Sequence, residues 1–475
     1  MRKSKLSGFL LLVGISYLMT SCLGSEKTET EEWLYGNAQI ASFSISNELM
    51  GDMSVVKFTI DQLNGKIFNK DSMPYGTVFE DKVLFNISLD SQYPMSGIQM
   101  IEQATGDTVR SVSDSVNFTE PVMITVYAYD GRSSKTYEAK LNIHQVNPDT
   151  IVWNRSDLID GKTFQDMKAV SYNNAYYLFV KESGVYQLYR LDVSDMNNQE
   201  KLPLSDFPHK AILSQITVFE NELYVITEAG VLYASADGQV WSPVEGGKSI
   251  RAILGYLPES TISGRSAVLC CVIEEGETFY FGTIDKTLTY TRGRELPENF
   301  PIINFGQFNY VTMYYPRLTL SSGRDSKNRL TNTTWATMDG LTWAALSNPQ
   351  MTFSNREGVA FTYYDNCFFV VGGFDESGQA LHDIWFSKDQ GINWLSSKTV
   401  RVYLGDNDED GTEEYVDEEH PIYPLPEEYV ARGFSSVVVD KDNYMLLFGG
   451  KADKNTNVLN ELWRGRINRL GFGKN

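Results

Sequence analysis

The chain has 475 residues, and its 61 acidic and 41 basic residues give a formal net charge of −20. This length exceeds what a single hydrophobic core usually supports, so at least two domains are expected. The acidic balance argues against a nucleic-acid partner, because nucleic-acid binding needs clustered cations, and four cysteines are too few for a disulfide framework.

Residues 1–21 have the layout of a secretory signal peptide. A basic start is followed by the apolar run from Phe9 to Leu18 and by the sequence LMTSC, which ends at Cys22. This ending resembles a bacterial lipobox, and the resemblance implies cleavage before Cys22 and acylation of that residue. The alternative is an ordinary signal peptide with a chance cysteine. With residues 22–35 as an acidic tether, we expect an exported protein held by lipid to the outer membrane, on its cell-surface or periplasmic face.

Residues 36–147 alternate apolar and polar side chains in short segments separated by turn residues, which predicts antiparallel strands and a β-sandwich. Near the end of this region, the Asp130-Gly131 pair supplies a hairpin turn. The stretch from Pro121 to Tyr137 resembles the last hairpin of Ig-like modules in Bacteroidetes surface lipoproteins. The resemblance implies an Ig-like sandwich that acts as a spacer or docking module.

Residues 148–475 contain a repeat of about 45 to 50 residues, each unit with three or four short strands, which is typical of a propeller blade. Six units fit this region, and seven is the alternative, so the chain is predicted to be all-β. The aromatic residues assigned to the third strand of each unit are Tyr189, Tyr233, Tyr290, Trp335, Trp385 and Trp463. Two units with Gly372-Gly373 and Gly449-Gly450 resemble the kelch pattern, which implies a kelch or galactose-oxidase-like propeller.

Three units carry a Ser/Thr-Asp-Gly-Trp pattern after the third strand. The fullest copy is SKDQGINW, and it resembles the Asp-box of sialidases and their propeller relatives. The residues concerned are Ser387, Asp389, Gly391 and Trp394, then Ser235, Asp237, Gly238 and Trp241, and then Thr337, Asp339, Gly340 and Trp343. Serine and aspartate side chains stabilise tight turns. We expect each copy to form the turn before the outermost strand, at the rim, with a structural role.

Catalytic residues are not assigned by the sequence. A sialidase-like site needs three convergent arginines, and each candidate arginine is expected to be a solvated surface residue. The candidates are Arg190, Arg251, Arg265, Arg317, Arg356 and Arg432. The four histidines are scattered along the chain, so neither a copper site nor a general base is indicated, and no cofactor is expected. Cys270, Cys271 and Cys367 are predicted to be buried thiols, with a single bridge from Cys367 to one of the pair as the alternative.

The acidic insertion at residues 403–429 interrupts the last long spacing between repeats. Asp406, Asp408 and Asp410, followed by Gly411, keep the spacing of calcium loops, in which alternating carboxylates bind a hard cation. A solvated acidic loop is the alternative, and the calcium site is the weaker of the two expectations.

The order of these elements resembles an uncharacterised family of Bacteroidetes exported lipoproteins, over nearly the whole chain. The resemblance implies a membrane-anchored location and no assigned activity. We therefore expect a non-catalytic binding or assembly module whose propeller binds a glycan or a protein. The alternative is a carbohydrate-active enzyme, a sialidase-like hydrolase or lyase that uses the axial pocket. Fold alone does not decide between them.

Overall fold

The computed structural model describes residues 35–46, 56–73, 75, 83–196, 198–245, 248–311, 315–397, 400–406, 413–418 and 423–471. Cys22, the signal peptide and most of the tether lie outside these ranges. The chain forms two compact units, Met1–Pro148 and Asp149–Asn475. Both consist of strands, as predicted, and within the described ranges no helix has the length and apolar character needed to cross a bilayer.

The first unit contains eight described strands in two sheets. They are β1 (Ile40–Ser46), β2 (Phe58–Asp61), β3 (Lys66–Asn69), β4 (Leu84–Leu89), β5 (Gly97–Glu102), β6 (Thr108–Val109), β7 (Val122–Tyr127) and β8 (Ser134–Lys140). Strands β1 and β4 form one sheet, and the other six follow the order β2-β3-β8-β7-β5-β6, in which β3 and β8 are parallel. Side chains from both sheets share one core, for example Ile40, Phe85 and Ile124. This is the two-layer packing of a sandwich.

The turn between β7 and β8 forms as its sequence predicts. Gly131 has a positive φ of 66°, and the Asp130 carboxylate accepts hydrogen bonds from the amides of Arg132 and Ser133, both at 2.9 Å. These bonds replace backbone partners that the tight turn cannot supply.

The second unit begins with β9 (Ile151–Asp157) and continues through four-stranded antiparallel sheets. Sheet 1 contains β10 (Asp166–Tyr172), β11 (Ala175–Glu182), β12 (Val185–Asp192) and β13 (Gln199–Leu202). Sheet 2 contains β14 (Thr217–Phe219), β15 (Glu222–Ile226), β16 (Leu232–Ser235) and β17 (Ser242–Pro243), and a 3₁₀ turn, Leu213–Gln215, precedes it. Sheet 3 contains β18 (Ile250–Leu257), β19 (Val268–Glu275), β20 (Thr278–Asp285) and β21 (Tyr290–Glu295).

The remaining strands follow the same plan, with one additional hairpin. Sheet 4 contains β22 (Gly306–Val311), β23 (Pro316–Ser321), β24 (Thr334–Thr337) and β25 (Ala344–Ala345). Sheet 5 contains β26 (Ala360–Tyr364), β27 (Cys367–Val371), β28 (Ile384–Ser387) and β29 (Leu395–Ser396). The hairpin of β30 (Val400–Asp406) and β31 (Glu413–Glu418) comes next, and then β32 (Ser436–Val439), β33 (Met445–Phe448), β34 (Glu461–Ile467) and a 3₁₀ turn, Asn468–Gly471.

Sheet 6 is completed by the first strand of the unit. Its order is β32-β33-β34-β9, with Ile467 opposite Ile151 and Trp463 opposite Arg155. The first strands of neighbouring sheets contact one another in a closed ring, β10–β14–β18–β22–β26–β32–β10. The described residues thus form six four-stranded sheets around one axis. The repeat pattern does not predict that β9 closes the ring.

One of the assigned third-strand aromatics is corrected by the structure. Tyr290 is the first residue of β21, the fourth strand of sheet 3, whereas Tyr189, Tyr233, Trp335, Trp385 and Trp463 lie on third strands. In sheet 3 the second and third strands each have eight residues. The aromatic residue on the third strand is therefore Phe281, which lies earlier in the chain than Tyr290. Phe281 is 2% exposed and packs in the core between sheets 3 and 4.

Two of the candidate arginines are buried, so the expectation of solvated side chains was wrong for them. Arg356 donates to the Gly372 carbonyl at 3.1 Å and pairs with Asp383 at 2.8 Å. Arg432 occupies the equivalent place in sheet 6, where it donates to the Gly449 carbonyl at 3.2 Å and pairs with Glu461 at 2.8 Å. The double glycines leave carbonyl groups inside the sheet, and the guanidinium, with its five donors, satisfies them and a carboxylate together.

The three cysteines of this unit are buried free thiols, as predicted, and no bridge joins them. Burial raises the pKa of the Cys270 thiol to about 12. These thiols therefore stay protonated and act as small apolar side chains.

Candidate functional site: the axial cavity

The first strands of all six sheets border one continuous space along the axis. A channel of about 450 Å³ is lined by residues of β10, β14, β18, β22, β26 and β32. It opens into a mouth of about 680 Å³, formed by the residues before these strands and by parts of sheets 1 and 2. Both volumes are in the range of small-molecule sites.

The mouth is held by backbone contacts between three consecutive sheets. The amide of Gly358 donates to the Asn304 carbonyl at 2.8 Å, and the amide of Phe434 donates to the Gly358 carbonyl at 2.6 Å. These three residues precede β22, β26 and β32 and share a positive φ, of 53°, 67° and 62° in chain order. A left-handed backbone is strained for a bulky residue such as Phe434 and is held only where the surroundings fix it. A Cβ on Gly358 would lie 2.6 Å from the Phe434 ring, so this position needs glycine.

A buried ion network lies directly behind the mouth. Glu357, 2% exposed, accepts hydrogen bonds from Arg324 at 2.6 Å, Asn304 at 2.7 Å and Lys454 at 2.5 Å. Burial acts to raise the pKa of Glu357, but these hydrogen bonds outweigh it and hold the pKa at about 2. The network ties sheets 4, 5 and 6 together and keeps Asn304 in place at the cavity edge.

The charges of the mouth are unlike those of the whole chain. Lys168, Lys181, Lys210 and Lys451 line it, together with the two carboxylates of Asp166 and Glu228. His209 is also part of the lining. A chain with a net charge of −20 therefore places an excess of cations at its axis. Such a local field attracts anions.

Lys168 differs from the other three lysines. Of the described residues that border the channel, it alone is charged, and it also borders the mouth. Its side-chain nitrogen has neither an ion pair nor a hydrogen bond among the described residues. Its side chain borders the cavity and is only half-buried by surface area. Protein atoms nevertheless surround the amine, and this burial lowers the pKa of Lys168 to about 8. No acid offsets the effect, so part of the population is the neutral amine near neutral pH.

A carboxylate pair and a tyrosine also meet at the mouth. Burial raises the pKa of Asp166, against the opposing influence of Lys451. Burial, and then the nearby charges of Asp166 and Glu228, raise the pKa of Tyr186, whose hydroxyl donates to the Ala211 carbonyl at 3.1 Å. Glu228 itself is exposed and pairs with Lys210 at 3.6 Å. An acid with a raised pKa beside a solvated carboxylate is an arrangement that acid–base chemistry uses.

The candidate arginines do not converge on this cavity. Of the described residues that line the mouth or the channel, none is an arginine. Arg356 and Arg432 are held in buried ion pairs, Arg190 pairs with Glu200 at 3.6 Å, and Arg317 lies near Trp343. A clasp of three arginines around a carboxylate is therefore absent from the part of the axis that the structure describes.

The three Ser/Thr-Asp-Gly-Trp turns share one geometry and follow the third strand of sheets 2, 4 and 5. In each turn the serine or threonine hydroxyl donates to the aspartate, and the glycine amide donates back to that hydroxyl oxygen. The hydroxyl–carboxylate distances are 3.2 Å for Ser235–Asp237, 3.1 Å for Thr337–Asp339 and 2.9 Å for Ser387–Asp389. Each aspartate also accepts one or more backbone amides later in its turn. These carboxylates are occupied by the turn, and none of them borders the axial cavity.

The tryptophans of these turns pack against the preceding sheet. Trp241 lies 5.8 Å from the ring of Phe179 in sheet 1, and Trp343 lies 5.8 Å from Phe281 in sheet 3. Trp394 is 2% exposed and bonds to Thr334 in sheet 4. All three therefore fill equivalent places between neighbouring sheets.

The calcium candidate is described only in part. Asp406 ends β30 with its backbone opposite Glu413 of β31, while Asp408 and Asp410 lie outside the described residues. The insertion also ends in buried residues. Tyr423 packs against Phe369 and Phe386 of sheet 5, and Tyr429 packs against Trp463 of sheet 6. The segment after the hairpin therefore fills the space between the last two sheets.

Sequence reasoning missed the residues of the cavity. Lys168, Asp166 and Tyr186 each lie in an alternating strand, where one charged or aromatic residue looks like an ordinary surface position. Only the ring arrangement shows that the first strand of a sheet faces the axis. Once the first strand of a sheet is known to face the axis, a charged residue such as Lys168 between Met167 and Ala169 is unusual, and this is the sequence signal that could have identified it.

Comparisons with known proteins support the architecture. The profile of the DUF6242 beta propeller domain matches residues 147–475. The profile of the N-terminal domain of DUF6242, a domain of unknown function, matches residues 28–141. No match was found among curated proteins. Among solved structures, one titled "Structure of YjhT" has 12% sequence identity and a TM-score of 0.43, and the match covers 63% of this chain and 94% of that one.

Proposed function

Since the chain belongs to the DUF6242 family, whose N-terminal domain is described as one of unknown function, we propose from its own residues that the propeller binds a small carboxylate-bearing ligand in the axial cavity, without catalysis. An acidic sugar is the ligand class that fits both requirements, because it carries a carboxylate for the lysines and is a glycan, as expected from the sequence. The observation that carries the proposal is Lys168, a cation without an acidic partner at the junction of the mouth and the channel.

The rest of the lining agrees with such a ligand. Lys181 and Lys451 lie near the single carboxylate of Asp166, so together they keep an excess of positive charge. Phe305 and Phe434 offer apolar ring faces, and Asn304 and Ser214 offer neutral polar groups. Sugar sites combine ring faces with a few fixed polar groups, and a buried charge selects the acidic members.

Titration calorimetry with glucuronate and glucose tests the proposal. The wild type should bind glucuronate and not glucose, and Lys168→Met should reduce glucuronate affinity by roughly tenfold or more, the effect of losing one charge-assisted contact. Lys201→Met removes an exposed lysine from the outermost strand of the same sheet and should leave the affinity unchanged. Equal affinity in wild type and Lys168→Met would contradict the proposal.

A hydrolytic role is the second candidate, favoured by the pairing of Asp166 and Glu228 beside Tyr186. The raised pKa of Asp166 suits a general acid, and the solvated Glu228 suits a base or nucleophile. Chromogenic glycosides with acidic and neutral sugars test this role. Turnover that Asp166→Asn abolishes while glucuronate binding persists would establish it, and the absence of turnover with every glycoside would leave the binding role alone.

We further propose that the protein is exported and anchored by lipid at Cys22. The basis is the sequence LMTSC and the acidic tether after it. Labelled palmitate should be incorporated into the wild type and not into Cys22→Ala. Membrane fractionation should then release the variant, and protease added to intact cells should show which membrane face carries the protein. Unchanged labelling of Cys22→Ala would exclude this anchor.

A further inference from the structure

Lys168 occupies the narrow junction of the axial space. The residues that border both the mouth and the channel come from sheets 1, 4, 5 and 6 and from the turn before sheet 2. The side chains around Lys168 at this junction are neutral, and they include Ser214, Asn304, Phe305 and Ser435. A ligand that lies across the mouth and the channel is therefore bordered by Lys168.

The other cations of the mouth are matched by acids. Lys210 pairs with Glu228 at 3.6 Å, and Lys181 and Lys451 both lie close enough to Asp166 to influence its ionisation. In the described structure no acid influences Lys168, for which burial is the one cause of perturbation. Burial therefore favours the deprotonated form of Lys168, and only a deprotonated amine has a lone pair for nucleophilic attack.

The channel beyond Lys168 is polar and uncharged. Gln215, Gln307 and Asn309 line it, and Oδ1 of Asn309 is buried without a hydrogen-bond partner among the described residues. A buried polar atom without a partner is uncommon and marks a place where a ligand group or water completes the bonding.

We propose that Lys168 forms an imine with a carbonyl compound that also carries a carboxylate. This inference rests on the proposed function, because it requires a carboxylate-bearing ligand in the same cavity. The neutral amine nitrogen attacks the carbonyl carbon, and a proton moves from nitrogen to oxygen to give a carbinolamine. Loss of one water then leaves the C=N bond, and no oxidant or reductant is needed. A ligand without a reactive carbonyl places its carboxylate against the protonated Lys168. In the imine, the other lysines of the mouth hold the carboxylate while the carbonyl carbon bonds to Lys168.

Reductive trapping tests the step on the full-length protein. The protein is incubated at pH 7.5 with pyruvate and cyanoborohydride, and the modified lysine is located by peptide mass spectrometry. With a pKa near 8, roughly a quarter of Lys168 is neutral at this pH, against about one part in a thousand for an exposed lysine. Lys168 should therefore be labelled on the order of a hundredfold faster than the exposed Lys201. The labelling rate should rise as the pH approaches 8 and then level off.

Control reactions separate this inference from the binding proposal. Lactate carries the same carboxylate without the carbonyl and should compete with pyruvate without forming an adduct. Lys168→Met should lose the rapid label, and Lys201→Met should keep it. If lactate and pyruvate both bind by calorimetry but pyruvate labels all lysines at similar rates, the imine is excluded and the binding role stands. If neither acid nor glucuronate binds, both proposals fail.

Discussion

The indole Nε1 of Trp394 donates a hydrogen bond to Oγ1 of Thr334 at 3.2 Å. The first residue belongs to the Ser-Asp-Gly-Trp turn of sheet 5 and the second to the third strand of sheet 4, so the bond joins two neighbouring sheets. Gly391 of the same turn also approaches Thr334, since a Cβ there would lie 2.7 Å from it. The turn therefore acts as a contact between sheets, remote from the axial cavity.

Asp389→Ala should destabilise the propeller unit by about 1–2 kcal/mol, because it leaves the Asn393 amide and the Ser387 hydroxyl without their acceptor. Urea unfolding measures the loss. Glucuronate affinity should not change, since Asp389 does not border the cavity. Asp442→Ala, at an exposed turn position of sheet 6, is the matched control and should be close to neutral. A loss of affinity in folded Asp389→Ala would assign the turn a part in binding.

Glu357→Gln should cost about 3–5 kcal/mol of stability at pH 7, because it leaves the partly buried side chains of Arg324 and Lys454 without their buried counter-charge. The pKa of Glu357 is lowered from 4.5 to about 2, so its contribution is complete above pH 4.5 and is lost as the pH falls towards 2. Urea unfolding at several pH values should show this loss in the wild type and a flatter dependence in the variant. Glu298→Gln, which removes an exposed ion-pair partner, is the control and should have little effect. Parallel pH curves for wild type and Glu357→Gln would contradict the assignment.

Lys168→Met should raise stability at pH 7, by an amount on the order of 1–3 kcal/mol, because it removes a buried charge without a partner. The folded pKa of about 8 lies below the model-peptide value of 10.5, so the unfolded chain binds more protons between these values. Wild-type stability should therefore rise relative to the variant from pH 8 to pH 10.5. Melting curves of both proteins across this window measure the effect. A constant difference in melting temperature would show that Lys168 titrates normally.

Calcium binding by Asp406, Asp408 and Asp410 remains a prediction from their spacing. If the loop between β30 and β31 binds the ion, about 1 mM calcium should raise the melting temperature and EDTA should reverse the rise, since a ligand specific for the folded state stabilises it. Asp408→Asn with Asp410→Asn should remove the response. An unchanged melting temperature on adding EDTA would exclude a site that stabilises the fold.

The repeat, the double glycines and the turn motifs follow from local chemistry, which is why the sequence predicts them well. Gly372 and Gly373, for example, have φ values of 60° and 102° that other residues rarely adopt. Residues that depend on distant partners escape such reasoning. Arg356 looks like a surface residue until the carbonyl of Gly372 and the carboxylate of Asp383 are placed around it. Lys168 is likewise ordinary in its strand and becomes a candidate only when six sheets surround it.

The pairing of β9 with β34 has a consequence for how the protein is made. Ile151 meets Ile467, so the ring cannot close until nearly all of the second unit has been synthesised. Until then β33 presents an unpaired edge and β9 has no partner, a state in which strands from different molecules can exchange. A chain that stops before residue 461 lacks β34, so β9 stays unpaired even when the other sheets are complete. Such a chain should therefore aggregate with other copies by exchange of strands.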